Sequence, residues 1–354
     1  MKILHCLWTL TTGGSEEMLV DIVNEQCHCA EVTILVLNNE IDDGLRGRID
    51  SAVTFLALRR QPGSRSLMPL LRLHSLIGQV QPDIIHLHDW GLTNVILFRR
   101  RQMVLTVHTT RTTVRKRVPK RIPRLGRIFA ISKAVADDIQ QRYGLRQPVV
   151  INGVRTGDIR FEVKANRGPF RIVQVARLDH NIKGQDLLIQ AVAKIRDQHP
   201  NMDISLDLIG DGDSRGILEG MAHELGLDRV VTFRGTLPRS QIYEELCQYD
   251  LLVQASRYEG FGLAVVEAMV AGVPVLVSDL EGPREIIEEG PFGFLFKPES
   301  VEDCARQIAT IHDLRATDTL AQMIAEARQH ALEKYDVRRT AEEYLAAYRE
   351  VLSA

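Results

Sequence analysis

The chain has 354 residues, of which 45% are apolar and 25% charged, and its formal net charge is −2. These are globular proportions, and the length suits two domains of ordinary size better than one core. They exclude a disordered or fibrous chain, and no apolar run approaches the ~18 residues of a membrane-spanning helix.

The N-terminus enters the strand-like Lys2–Leu7 directly, so no signal peptide is expected. Five scattered cysteines (Cys6, Cys27, Cys29, Cys247 and Cys304) contain no C-x-x-C. Cys27-His-Cys29 lacks a second ligand pair at finger spacing, and the expectation is a reduced cytoplasmic protein rather than a zinc site.

Along the first half, short β-branched runs alternate with helical patterns. Strands are predicted at Lys2–Leu7, Glu31–Leu37, Val53–Leu58, Ile84–His88, Met103–His108, Arg127–Ser132 and Pro148–Val154, with helices at Ser15–Gln26, Leu67–Val80 and Lys133–Arg142. Repeated β-then-α order predicts a parallel, doubly wound sheet. Thr156–Pro169 loses the periodicity, as a linker would. The pattern then restarts, with strands predicted at Arg171–Leu178, Ser205–Ile209, Val230–Arg234, Leu251–Ala255, Pro274–Ser278 and Gly293–Phe296. Helices are predicted at Gln185–Gln198, Arg215–Leu225, Arg239–Tyr249, Ala264–Val270 and Val301–Ile311, and nearly continuously after Asp318. The architecture expected is α/β, with two Rossmann-like, doubly wound parallel-sheet domains facing a cleft. The first covers 1–160 and the second 161–335, and a C-terminal helix over 336–354 is able to cross back to the first. Ligands of such sheets bind beyond the carboxyl ends of the strands.

Charge is unevenly shared. Residues 1–165 carry 24 Lys+Arg against 15 Asp+Glu, a net of +9, and the remainder carries −11. Eleven of the cations fall in Arg99–Arg127, which has no acid. A segment that interleaves cations with Val, Ile and Pro suits an anionic membrane face or a lipid-diphosphate acceptor, each Lys or Arg being worth about 1 kcal/mol near such a surface. A solvated loop is the plainer reading. Nucleic acid is not expected, because the run offers no aromatic stacking platform.

The most informative stretch is Glu259-Gly-Phe-Gly-Leu-Ala-Val-Val-Glu267. It sits between two apolar strands, with Glu259 on the turn and Glu267 expected about two turns into the following helix. Gly260 and Gly262 allow close approach of a ligand, and the helix start offers N–H groups to an anion. By itself the spacing of the two glutamates occurs constantly by chance. Arg177 and Lys183 fall on one loop at a strand's carboxyl end, placed to clamp a diphosphate, although solvated surface charges would look the same. Gly210-Asp-Gly212 and Phe233-Arg-Gly-Thr236 are strand-to-loop turns suited to backbone contacts with a flat base. Gly13-Gly14-Ser15 opens the first helix, either as a phosphate cradle or as a turn with Ser15 as N-cap. His108 ends a strand where it can accept a proton or donate a hydrogen bond. His86 and His88 share a strand face, but no third metal ligand stands out, which leaves them as packing or substrate-contact residues.

In this order and at these spacings, Gly13-Gly14, Arg177 with Lys183-Gly184, Gly210-Asp-Gly212 and Glu259-Gly-Phe-Gly-x4-Glu267 resemble the retaining family-4 glycosyltransferases of GT-B fold. The likeness covers essentially the whole chain and is most specific in the second domain. Asn152-Gly-Val154 also matches, though Arg155 stands where the family often has an acid. The resemblance implies a nucleotide-diphosphate sugar, with UDP the commoner base, held mainly by the second domain. Arg177 and Lys183 would neutralise the diphosphate, Glu267 bind the ribose and Glu259 the donor sugar. The backbone of Phe261, Gly262 and Leu263 would contact sugar and phosphate, Gly210 and Thr236 would lie toward the base, and Gly13, Gly14 and His108 would line the cleft from the first domain. Glu259, Arg177, Lys183 and His108 are thus the candidate catalytic groups. It implies retention of configuration and a glycan or lipid-linked acceptor, as in cell-surface polysaccharide or lipopolysaccharide synthesis. No metal cofactor is expected, because fixed cations and N–H groups can stabilise the leaving diphosphate. Two alternatives share the fold: a nucleotide-sugar 2-epimerase, and a non-catalytic nucleotide-sugar-binding protein.

Overall fold

The computed structural model describes residues 1–64, 66, 68–96, 102–109, 125–163 and 168–353. The chain forms two compact units, Met1–Val154 with Val337–Ala354, and Arg155–Asp336.

In the first unit, β1 (Lys2–Leu7), β2 (Glu31–Asn38), β3 (Thr54–Arg60), β4 (Ile84–Leu87), β5 (Met103–Val107) and β6 (Arg127–Ala130) form one sheet in the order β3-β2-β1-β4-β5-β6. Every pairing is parallel. Strands covered on both faces read as unbroken apolar runs, and Val32–Leu37 is buried throughout. The C-terminal helix Val337–Ser353 belongs to this unit and packs on the helix Gly14–Gln26.

In the second unit, β7 (Phe170–Val175), β8 (Ile204–Ile209), β9 (Val231–Gly235), β10 (Leu251–Gln254), β11 (Val275–Ser278) and β12 (Phe294–Phe296) form a second parallel sheet, ordered β12-β11-β10-β7-β8-β9. Its core joins Ile172, Leu206 and Val253 of the sheet to Leu188 and Ile308 of the covering helices, all fully buried. Burying each such side chain is worth ~1.5–3 kcal/mol. Each sheet reverses its strand order once, between β1 and β4 and between β7 and β10. Loops leave in opposite directions there and open a crevice at the carboxyl ends of the strands.

Several expectations are corrected. Pro148–Val154 is not a strand: Val149 makes only an isolated bridge to Ala130, because Pro148 has no N–H with which to extend the ladder. As expected, the chain beyond Asp318 is helical almost throughout, as Asp318–Lys334 and Val337–Ser353, and between them the Asp336 carboxylate accepts from the Thr156 hydroxyl. The first crossing between units falls at 154/155 rather than 160/161. The carbonyls of Ile151 and Val154 accept bonds from Thr340 and Val337 of the C-terminal helix, whereas Arg160 N–H donates to Tyr243 of the second unit. Ser15 is not an N-cap; Gly13 holds that place, and the Ser15 hydroxyl donates to Glu16. Glu267 is the fifth residue of the helix Leu263–Val270, just over one turn in rather than two, since the helix begins only after Gly262 at φ 120°.

Candidate active site

The two loops at the reversal of the second sheet are stitched together. After β7 the chain makes one helical turn, His180–Lys183, and leaves it through Gly184 in the left-handed region at φ 64°. A Cβ there would lie 2.0 Å from the Ala255 carbonyl oxygen. Only glycine lets the loop after β7 press on the loop after β10. Arg257 and Tyr258 N–H donate to Ile182 O, and the Arg257 guanidinium holds both Asp186 oxygens at 2.7 and 2.9 Å. This closure brings Lys183 Nζ to 2.7 Å from Glu259 Oε2, across 76 positions of sequence.

Lys183 and Glu259 are therefore not independent surface charges; their side chains are 25% and 14% exposed. The same Glu259 oxygen also accepts from Gln254 Nε2 and Ser256 Oγ. Three donors hold that carboxylate oxygen in place. Gln174, at the end of β7, donates to the Lys183 carbonyl at 2.7 Å and fixes the turn that carries the lysine.

Arg177 lies on the same loop and is exposed, with no carboxylate paired to it among the described residues. The Gly210-Asp-Gly212 turn supports it from below. At φ 133°, a Cβ on Gly210 would lie 2.1 Å from the Ala176 carbonyl oxygen, and one on Gly212 would lie 2.5 Å from that of Leu178. The Gly210 N–H donates to Gly235 O, and Asp211 binds the Gly212 N–H and pairs with Arg215. Thr236 is exposed just past β9. Leu263 begins its helix, whose first N–H groups have no partner within the helix, and the Phe261 ring is buried edge-on against Tyr335.

Glu267 is buried, and its Oε1 accepts from Arg239 at 3.3 Å and from the Tyr243 hydroxyl at 3.1 Å. Arg239 in turn lies 4.9 Å over the Tyr243 ring. The two glutamates of the motif therefore have separate partners, which their spacing could not reveal. Arg239, Tyr243, Gln254 and Gln174 are the residues that sequence reasoning missed. The only local signal was a glutamine at the end of β10 and one next to the end of β7.

Gly13, Gly14 and His108 lie in the first unit. A pocket of about 260 Å³ opens there at the carboxyl ends of β1, β4 and β5, lined among others by Trp8, Glu16, His88, Asp89, Trp90 and His108. It occupies the reversal between β1 and β4. Asp89 is fixed by the Trp8 indole N–H at 2.9 Å and by the Gly91 N–H at 2.6 Å. Behind the pocket, His86 and His88 gain the third histidine that the sequence did not disclose, His5 of β1; one ring nitrogen from each lies within 4.8 Å of the others. Both His86 nitrogens are already engaged, by Tyr348 at 2.6 Å and Thr106 at 2.7 Å. Burial lowers the pKa of all four histidines, those of His5 and His108 to about 4. The basic run Arg99–Arg127 lies largely outside the described residues; at its end, Arg127 pairs with Glu350 at 2.5 Å.

Two family models match in tandem. Residues 12–157 match Glycosyltransferase Family 4, and residues 156–330 match Glycosyl transferases group 1. The chain belongs to the family-4 glycosyltransferases of GT-B fold. This glycosyltransferase is 29% identical to glycogen synthase of Mycobacterium tuberculosis over 76% of its own length and 70% of the relative's. It is 27% identical to D-inositol 3-phosphate glycosyltransferase of Paenarthrobacter aurescens, over 80% and 76% of the two chains. Among solved structures, Anabaena Alr3699/HepE in complex with UDP-glucose superposes at a TM-score of 0.81, with 23% identity, covering 100% of this chain and 99% of that one.

Proposed function

We propose that this glycosyltransferase moves a sugar from a UDP-sugar to a glycan or lipid-linked acceptor with retention of configuration, and that the second unit holds the donor. The Lys183–Glu259 pair, 2.7 Å apart beside the exposed Arg177, carries this reading. Arg177 brings a planar fork and Lys183 a compact charge to the diphosphate, and the helix start at Leu263 adds N–H groups. Lys183 has three N–H donors and gives one to Glu259, so it can serve a phosphate without releasing the carboxylate. As the bond to the diphosphate breaks, negative charge grows where these fixed cations lie, and positive charge grows at the sugar carbon, where Glu259 stabilises it electrostatically. Glu267, steadied at one oxygen by Arg239 and Tyr243, keeps the other for ribose hydroxyls. No divalent metal enters this scheme. UDP as the base is supported by the HepE complexes with UDP and UDP-glucose. The basic segment Arg99–Arg127 suits peripheral docking to an anionic membrane, and a surface-glycan role accords with it.

Incubating the purified chain with a panel of nucleotide sugars, with and without glycan acceptors, tests the proposal. UDP release that depends on acceptor is expected, unchanged by EDTA. Conversion of the donor to an epimer without acceptor, or tight binding without turnover, would replace this reading with one of the two alternatives.

A further inference from the structure

Behind the pocket of the first unit runs a chain of hydrogen bonds from Gln26 through His5 and His88 to His108. The Gln26 amide oxygen lies 2.9 Å from His5 Nε2, His5 Nδ1 lies 3.0 Å from His88 Nε2, and His88 Nδ1 lies 3.4 Å from His108 Nε2. A neutral imidazole carries one N–H and one lone pair. With its amide oxygen turned to His5, Gln26 can only accept, so His5 holds its hydrogen at Nε2 and offers the lone pair of Nδ1 to His88. His88 must then hold its hydrogen at Nε2, and His108 likewise. The last lone pair, on His108 Nδ1, is buried and has no partner among the described residues, and the same is true of the Gln26 Nε2 amide at the other end of the chain. An orphaned buried acceptor calls for an explanation, and His108 lines the pocket.

We propose that Gln26, His5 and His88 are positioning residues that lock His108 in the Nε2–H tautomer, so that Nδ1 accepts a hydrogen bond from a sugar hydroxyl seated in this pocket. The inference rests on the proposed function for the identity of the ligand as a sugar. The described lining supports a neutral polyol over an anion, since it contains the carboxylates of Glu16 and Asp89 and no lysine or arginine. Every hydroxyl brings a hydrogen to such acceptors, whereas a phosphate or carboxylate would meet only repulsion there. A metal held by His5, His86 and His88 is the competing account of the same cluster. It would have to displace the hydrogen between His5 and His88 and break a bond of His86.

Nitrogen-15 correlation spectra of the full chain, which distinguish the two neutral tautomers of each histidine, test the relay directly. His5, His88 and His108 should all carry hydrogen at Nε2. Gln26→Met, which removes the acceptor, should shift His108 toward the Nδ1–H form and raise KM for the sugar roughly tenfold, as for the loss of one hydrogen bond, with kcat little changed. His5→Gln, whose amide oxygen still accepts from His88, should keep both the tautomer and KM. Should Gln26→Met fail to fold, the wild-type spectrum alone decides: His108 as Nδ1–H overturns the proposal. So does one metal ion per chain that is lost in His5→Gln, or an unchanged His108 tautomer in folded Gln26→Met. Absence of any sugar transfer by the wild type would sink the proposed function, while the tautomer pattern would still judge the relay.

Discussion

The two sheets share one strand order and reverse it at the same relative place, yet their reversal points are furnished with different chemistry. Between β7 and β10 the polar groups are charged, sit on loops, and pair across the crevice as Lys183–Glu259. Between β1 and β4 histidines rooted at the strands, buried or half-buried and held neutral, stand behind the carboxylates of Glu16 and Asp89. The difference follows from depth. A group on a loop keeps enough water to stay ionised, whereas His5 and His86 are fully buried, where desolvation removes the charged form. One frame thus carries ionised side chains at one reversal and neutral imidazoles at the other.

The comparison breaks first at the charges. Lys183→Ala and Glu259→Ala should each lower sugar transfer at least ~100-fold, the scale seen when one charge-stabilising group is lost. Arg177→Ala should do the same if the exposed guanidinium serves the diphosphate. Steady-state transfer with a matched donor measures this, and near-normal rates in a variant would remove that residue from the chemistry.

Acid should separate the units next. The pKa values of His5, His86, His88 and His108 are all lowered by burial, those of His5 and His108 to about 4. Unfolding returns them to about 6.5, so the unfolded chain binds more protons below that pH. Stability is therefore full above pH ~6.5 and declines toward pH ~4, by up to about 1.4 kcal/mol per pH unit for each such histidine. Both tryptophans, Trp8 and Trp90, lie in the first unit, so denaturant unfolding followed by their fluorescence reports on it selectively. The midpoint should drop between pH 6.5 and 5, and a flat profile would mean the histidines are not held neutral by the fold.

Two smaller effects sharpen the second unit. Gly184→Ala should destabilise it by at least ~1 kcal/mol, because φ is 64° and the new Cβ would meet the Ala255 carbonyl. A lower melting temperature is the readout. Tyr243→Phe deletes one bond to Glu267 and should raise KM for the donor by about fivefold, with kcat nearly unchanged. An unaltered KM would leave Glu267 steadied by Arg239 alone.

Much of this was legible in the sequence, and the limits have a physical cause. Runs such as Glu31–Leu37 and the turn at Glu259-Gly-Phe-Gly declare themselves because strand period and glycine conformation are local properties. Lys183 and Glu259 were both legible as strand-end residues, but their contact depends on Gly184 meeting Ala255, which is a property of sheet order. The pairings of His5 with His88 and of His86 with Tyr348 span 83 and 262 positions, and no local pattern announces them. Pro148–Val154 misled for a related reason. Its residues favour a strand, and only the missing N–H of Pro148 and the bonds of Ile151 and Val154 to the C-terminal helix decide otherwise.

Calorimetric titration of UDP into the wild-type chain and into Lys183→Ala tests the central claim most directly. The account predicts measurable binding by the wild type and a roughly 100-fold weaker constant in the variant, which corresponds to about 2.7 kcal/mol. Equal affinities in the two proteins would contradict it, because the diphosphate would then lie elsewhere than at the Lys183–Glu259 pair.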